Sequence, residues 1–328
     1  MMGKITFNFF SDSKESVISK LSAYFDIPQS SVTEALEYGC STESFINDLH
    51  INLRAFDSSK VCIIGRHVTT ATDSGLSSII GKGLLNLKRS LHEDTPLSEY
   101  LRSQKIQIDV DNGLIYINEK SIPIESRKGS NHVCFRGKKT VCSWSFGCEA
   151  FEKLTILANK LYNLGATLEF FVAGTLDEML GYSTVRHCPE ILDTLDQLVS
   201  AIHSPSGQCT YPLCHGWATA DKNCYVIEFP NTLSNMETYN PINYLEAFHE
   251  IKGCFDWSNI SYDDYYEHRI PQRVYDNRFL IDTIISVYVY YSREQYGSLQ
   301  PGFSVAPELL KIYRVDDGQL IAILYHFG

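Results

Sequence analysis

The chain has no long apolar run. No window approaches the unbroken stretch that spans a bilayer. The first residues, Met1-Met2-Gly3-Lys4-Ile5-Thr6-Phe7, reach Ser11-Asp12-Ser13 before an export-signal core is complete. A cytoplasmic protein without membrane association is therefore expected. Basic residues are scarce: 28 Lys and Arg against 39 Asp and Glu leave a net charge of −11. That argues against tracking along a phosphate backbone, though not against a nucleotide held by a few groups. Ten cysteines are present, but none forms a Cys-x-x-Cys pair. Their irregular spacing in a long chain predicts reduced thiols and no structural zinc site. Gly-x-Gly-x-x-Gly, a Walker loop and the Gly-x-Ser-x-Gly elbow are all absent, so no simple nucleotide loop or serine-hydrolase signature can be read.

What is present suits a folded α+β protein. The 328 residues, 44% hydrophobic, can bury one large core or two smaller ones. Residues 4–10 alternate as a short strand. Ser13 to Phe25, a segment from Ser30 or Ser31 through Glu37, and Thr42 to about Leu53 read as helices. Residues 1–58 are thus expected to form a small helical N-terminal module, and 59–328 an α+β catalytic domain.

Within the second segment, Thr95-Pro96 opens a helix, with the hydroxyl as cap and proline at the first position. Ile106 to Ile124 reads as a β-hairpin around Asn112-Gly113. His132–Phe135, Thr167–Val172 and Cys224–Phe229 are expected strands, the last ended by Pro230. Helices are expected over Cys148–Tyr162, over 175–203 with a break near Pro189, and over Pro241–Ile251. Extended runs are expected around Tyr265–Pro271 and from Ile284 to Tyr291.

The most informative stretch is Val61-Cys62-Ile63-Ile64-Gly65-Arg66-His67-Val68-Thr69-Thr70. It reads as a buried strand whose end delivers an imidazole and a hydroxyl on one face, because side chains alternate. Asp73 or Ser74 then caps a short helix, Gly81 and Gly83 end it, and Leu84-Leu85 re-enters the core. This order of strand, His-x-Thr, short helix and Gly-Leu resembles the start of the ADP-ribosyltransferase fold, in the branch of the poly-ADP-ribose polymerases and bacterial toxins. The phrase Gly113-Leu114-Ile115-Tyr116 resembles the strand carrying the nicotinamide-stacking tyrosine of that branch. Val305-Ala306-Pro307 to Ile312 resembles its C-terminal strand entry.

The resemblance implies a mixed sheet core and NAD as cofactor. It implies an NAD-dependent transferase of bacterial or phage toxin or defence type, acting on a protein or nucleic-acid acceptor. His67 and Thr69 would hold the NAD ribose, Tyr116 would stack on nicotinamide, and a late glutamate would stabilise the oxocarbenium ion. Glu267, before His268-Arg269-Ile270-Pro271, is favoured for that role over Glu294, in Ser292-Arg293-Glu294-Gln295. Two other classes stay open. One is a noncatalytic ligand-sensing or protein-binding module, indifferent to those glutamates. The other is a cysteine-dependent hydrolase using Cys148 at a helix start with His203, His215 or His249 as base. Soft ligands at Cys209, Cys214, His215 and His187-Cys188 lack paired zinc spacing.

Overall fold

The computed structural model describes residues 4–109, 114–118, 120–123, 168–185, 189–203, 212–218, 222–237, 271–292, 295–300 and 302–324. Its architecture is mixed α+β, with largely antiparallel strand pairing and several helices. In chain order the strands are β1 (Ile5–Phe7), β2 (Val61–Ala71), β3 (Ile106–Asp109), β4 (Leu114–Ile117), β5 (Lys120–Pro123), β6 (Glu169–Ala173), β7 (Asn223–Thr232), β8 (Gln295–Ser298), β9 (Lys311–Asp316) and β10 (Gln319–Ala322). The helices are α1 (Lys14–Phe25), α2 (Gln29–Glu37), α3 (Thr42–Asp48), α4 (Asp73–Lys82), α5 (Leu87–His92), α6 (Pro96–Ser103), α7 (Leu176–Val185), α8 (Glu190–His203), α9 (Pro212–Ala218) and α10 (Gln272–Tyr288). The chain divides into two compact units, one of residues 1–67, 169–179 and 227–300, the other of 68–168, 180–226 and 301–328.

In the first unit the strand order is β7-β2-β6-β8, and β1 also pairs parallel with β2. Residues Val61, Ile63, Phe170, Val172, Ile227 and Phe229 are buried, as a two-sided β layer requires. Gly65 sits where a Cβ would lie 2.6 Å from Phe170 Cδ2 and 3.2 Å from Phe229 Cζ, so only glycine lets this edge-to-face ring pair close on β2.

Helix α10 carries polar groups into the same interior. Asp276 and Asn277 are fully buried. Asn277 donates to the carbonyls of Leu53 at 2.9 Å and Phe56 at 3.1 Å, and accepts from the Tyr24 hydroxyl at 2.7 Å. Ser58 donates to Asp276 at 2.7 Å, Thr42 to Asp282, and Arg278 pairs with Glu43. The N-terminal helices are thereby hydrogen-bonded to α10 rather than merely packed on it. Burial raises the Tyr24 phenol above its ordinary pKa, with Asp57 and Asp276 adding to it. Burial also pushes Tyr288 up to about 12, Asp12 and Glu15 contributing.

In the second unit, β9 and β10 form a hairpin whose turn, Asp317-Gly318, has positive φ at both residues. Just before it in the chain, Val305 exchanges backbone hydrogen bonds of 3.0 and 2.8 Å with the distant Leu84, and Asn86 bonds Gly302 and Ser304. Gly83 must be glycine there, since φ is 85° and a Cβ would overlap the Val305 carbonyl. Strands β3, β4 and β5 form a separate antiparallel sheet, packed with α6, α8 and α9 around Ile106, Ile108, Ile115, Leu192 and Leu195. Asp196 accepts from the backbone N–H groups of Leu213 and Cys214, one on each oxygen, and so caps α9 from a neighbouring helix.

Several expectations are corrected. Ile284 to Tyr288 is the end of α10, not a strand. Val274, Ile281, Ile284 and Ile285 recur at helical spacing and are buried, and that packing overrides their β-branched preference. Pro230 does not stop β7, because the exposed ring costs the ladder a single donor. Thr72, not Asp73 or Ser74, caps α4, and Pro28 rather than Ser30 or Ser31 stands at the cap of α2. The third helix stops at Asp48, with a separate turn of 3₁₀ helix at Leu53–Ala55. Cys214 is disulfide-bonded, against the expected thiols, while Cys40, Cys62 and Cys224 are thiols, as expected. The expected segments at 132–135, 148–162, 241–251 and 265–270 lie outside the described residues. The Thr95 cap, its capping box with Ser98 and the hairpin at 106–117 follow the sequence reading. So does the helix break near Pro189.

The Asn277 node gives a direct stability prediction. Tyr24→Phe removes one donor and should cost about 1 kcal/mol, whereas Asn277→Ala strands several buried groups and should cost about 2–4 kcal/mol. Urea unfolding of the two variants measures the difference.

Candidate functional site

The register of β2 decides which of its side chains meet which partners. Arg66 is paired opposite Phe171 of β6. Its guanidinium donates through Nε and Nη2 to one Glu228 oxygen, at 3.1 and 3.0 Å, and lies 4.2 Å from the Phe10 ring centroid. Glu228 is only 7% exposed, so this is an ion pair that removal of either partner would leave as a buried charge. Alternation turns the next residue, His67, to the other face.

His67 is half-buried, with Nδ1 2.8 Å from the Glu169 carbonyl oxygen at the start of β6. That oxygen can only accept, so Nδ1 carries the proton. In the neutral ring Nε2 then keeps a lone pair. Burial holds the imidazole below its ordinary pKa, against the opposing pull of the carbonyl. The result is a neutral histidine of fixed tautomer whose Nε2 carries the acceptor lone pair.

Two carboxyl-bearing residues of the first unit, Glu169 and Glu237, are linked through β8. Glu169 pairs with Ser298 across β6 and β8, and Glu237 donates its backbone N–H to the Ser298 carbonyl at 2.8 Å. Met236 bridges to Leu299, and Gln300 donates to Asn235, so residues 235–237 are held as a short ribbon against 298–300. Gly297 makes this possible, since a Cβ there would meet Met236 Cε at 2.5 Å and Val172 Cγ2 at 3.0 Å. Burial raises the Glu237 carboxyl pKa, and the charge of Glu169 raises it further. Glu169 and Glu237 are thus an electrostatically linked carboxyl pair, and carboxyl groups shifted in this way are candidates for acid–base chemistry.

Thr69 follows His67 by two residues on β2, within the second unit's share of that strand. Tyr116 lies on the central strand β4 of the small sheet, opposite Gln107 and Ser121, in the second unit. Glu267 and Glu294 lie outside the described residues, Glu294 directly before β8 in sequence. Glu169 and Glu237 were not singled out by sequence. Glu169 opens a strand, where a carboxylate ordinarily marks solvent. Nothing near Glu237 in the chain announces its pairing with Ser298. Of the groups weighed for other chemistries, Cys148, Cys188, Cys209, His187 and His249 lie outside the described residues, and His215 is exposed on α9. Among the described residues no three His, Cys, Asp or Glu side chains stand together as a metal site, and no helix is long and apolar enough to cross a membrane. No protein-family model, curated protein or solved structure matches the chain.

The raised Glu237 pKa has a defined consequence for stability. A carboxyl whose folded pKa exceeds its unfolded value contributes stability that is fully present below the unfolded pKa and is lost as pH rises through the folded one. Glu237→Gln should therefore melt higher than the native protein at pH 8, with the difference shrinking toward pH 4. Thermal unfolding across that range reads it out.

Proposed function

We propose that the chain is an NAD-dependent ADP-ribosyltransferase of toxin or defence type that modifies a macromolecular acceptor. The reaction breaks the bond between nicotinamide and ribose through an oxocarbenium-like transition state. It needs the ribose hydroxyls held and negative charge placed near the anomeric carbon. His67 carries the reading. A neutral imidazole with Nδ1–H engaged by a carbonyl presents Nε2 as an acceptor, and a ribose hydroxyl is a matching donor. Further support comes from the order of the chain, in which β2 is followed by α4 and by the Gly83-Leu84 exit. Glu237 and Glu169 join Glu267 and Glu294 as candidates for the stabilising carboxylate.

Incubation of the protein with tagged NAD and a bacterial lysate tests this proposal. Native protein should label acceptors. His67→Ala and one of Glu169→Gln, Glu237→Gln, Glu267→Ala and Glu294→Ala should each lower labelling by about a hundredfold or more, the scale on which preorganised electrostatic groups act. Labelling absent from the native protein, with no release of nicotinamide, would refute the proposal.

A further inference from the structure

The second unit contains a groove of about 420 Å³ between β3 and the helices α5 and α6. Leu91 and Leu101 supply apolar wall, His92 and Arg102 lie at its polar side, and Ile106 through Asp109 form the opposite side. Four consecutive strand residues line it. Side chains of one strand alternate between faces, so a run of four touches a groove only where the groove follows the strand's edge.

The antiparallel register turns backbone hydrogen-bonding groups of β3 toward that edge. Lys105 accepts from the N–H of Asn118 at 3.1 Å, in line with the cross-strand register Ile106↔Ile117 and Ile108↔Ile115. In an antiparallel pair, bonded and non-bonded partners alternate. Residues 105, 107 and 109 therefore face β4, and the N–H and C=O groups of Ile106 and Ile108 face outward. Within the small sheet β3 is an edge strand, and among the described residues no strand pairs with its outer side. Two outward donor–acceptor pairs at a two-residue repeat match one chemical object, another extended backbone.

We infer that this groove binds an extended peptide segment of a partner protein, which adds as a strand to the outer edge of β3. Apolar side chains of the segment rest on the partly exposed Leu91, with the buried Leu101 behind it. The best charge match is an acidic residue at the Ile106 end, where Arg102 has only a solvent-exposed ion pair with Asp94 to give up. This inference is independent of the transferase reading.

The probe is a fluorescein-labelled hexapeptide, Leu-Ile-Tyr-Ile-Glu-Glu. Its first four residues copy β4, the strand that already pairs antiparallel with β3, and its acidic end meets Arg102 in an antiparallel pairing. Fluorescence anisotropy with the full chain measures binding. Two further probes keep every side chain but carry N-methyl groups on alternate residues, the first and third or the second and fourth. Strand addition uses the N–H groups on one side only, so one methylated probe should lose about tenfold or more in affinity and the other should bind nearly as the parent does. Arg102→Glu, a change at an exposed position, should weaken the parent probe several-fold. Equal binding of both methylated probes, no binding at about 1 mM, or indifference to Arg102→Glu would each overturn the inference. So would a chain dimer that the probe dissociates, which would assign the edge to a second copy.

Discussion

The register of β2 is the constraint on which the first unit depends. Gly65, Arg66 and His67 are consecutive, and each has a partner that would reject its neighbour. Gly65 faces a ring pair that admits no Cβ, Arg66 reaches a buried carboxylate, and His67 meets a strand-end carbonyl. A slip of one residue would press the guanidinium against Phe170 and Phe229 and leave Glu228 without its cation. The half-buried position of His67, and hence its neutral state, follow from a packing requirement two residues away.

Helix α10 supplies the second constraint. Much of its surface is buried, yet Asp276, Asn277 and Thr283 lie within that buried surface. A hydrophobic helix of the same shape could pack in more than one rotation. The bonds from Asn277 to Leu53, Phe56 and Tyr24 allow one, because any other leaves buried donors and acceptors unmet. Polar burial here sets orientation, and the aromatic contacts among Tyr24, Phe25 and Phe56 fill the space around it.

Much of the local structure is legible in the chain because it depends on local chemistry. Thr95-Pro96 carries its own cap and Ser98 completes it. Gly83 announces a helix end. The alternation at Ile106, Ile108, Ile115 and Ile117 is a hairpin pattern on its own, and Asp317-Gly318 is an equally local turn signal. His67 and Thr69 are readable as a strand end for the same reason. The misreadings share a cause. Ile284-Ile285-Ser286-Val287 has strand chemistry, and only burial of the preceding turns makes it helical. Glu169 and Glu237 lie 68 positions apart in sequence and meet through Ser298, a residue of a third segment. No property of either glutamate alone reports that link.

The proposed transferase role requires His67 to be neutral, protonated on Nδ1, and reachable at Nε2 by a ribose hydroxyl. Nitrogen-15 NMR of histidine-labelled protein tests it most directly, because the two ring nitrogens have distinct shifts in each tautomer. His67 should show the Nδ1–H tautomer at pH 7 and a displaced Nε2 resonance when NAD is added, absent in His67→Ala. An Nε2–H tautomer, a charged ring, or a spectrum unmoved by NAD would contradict it.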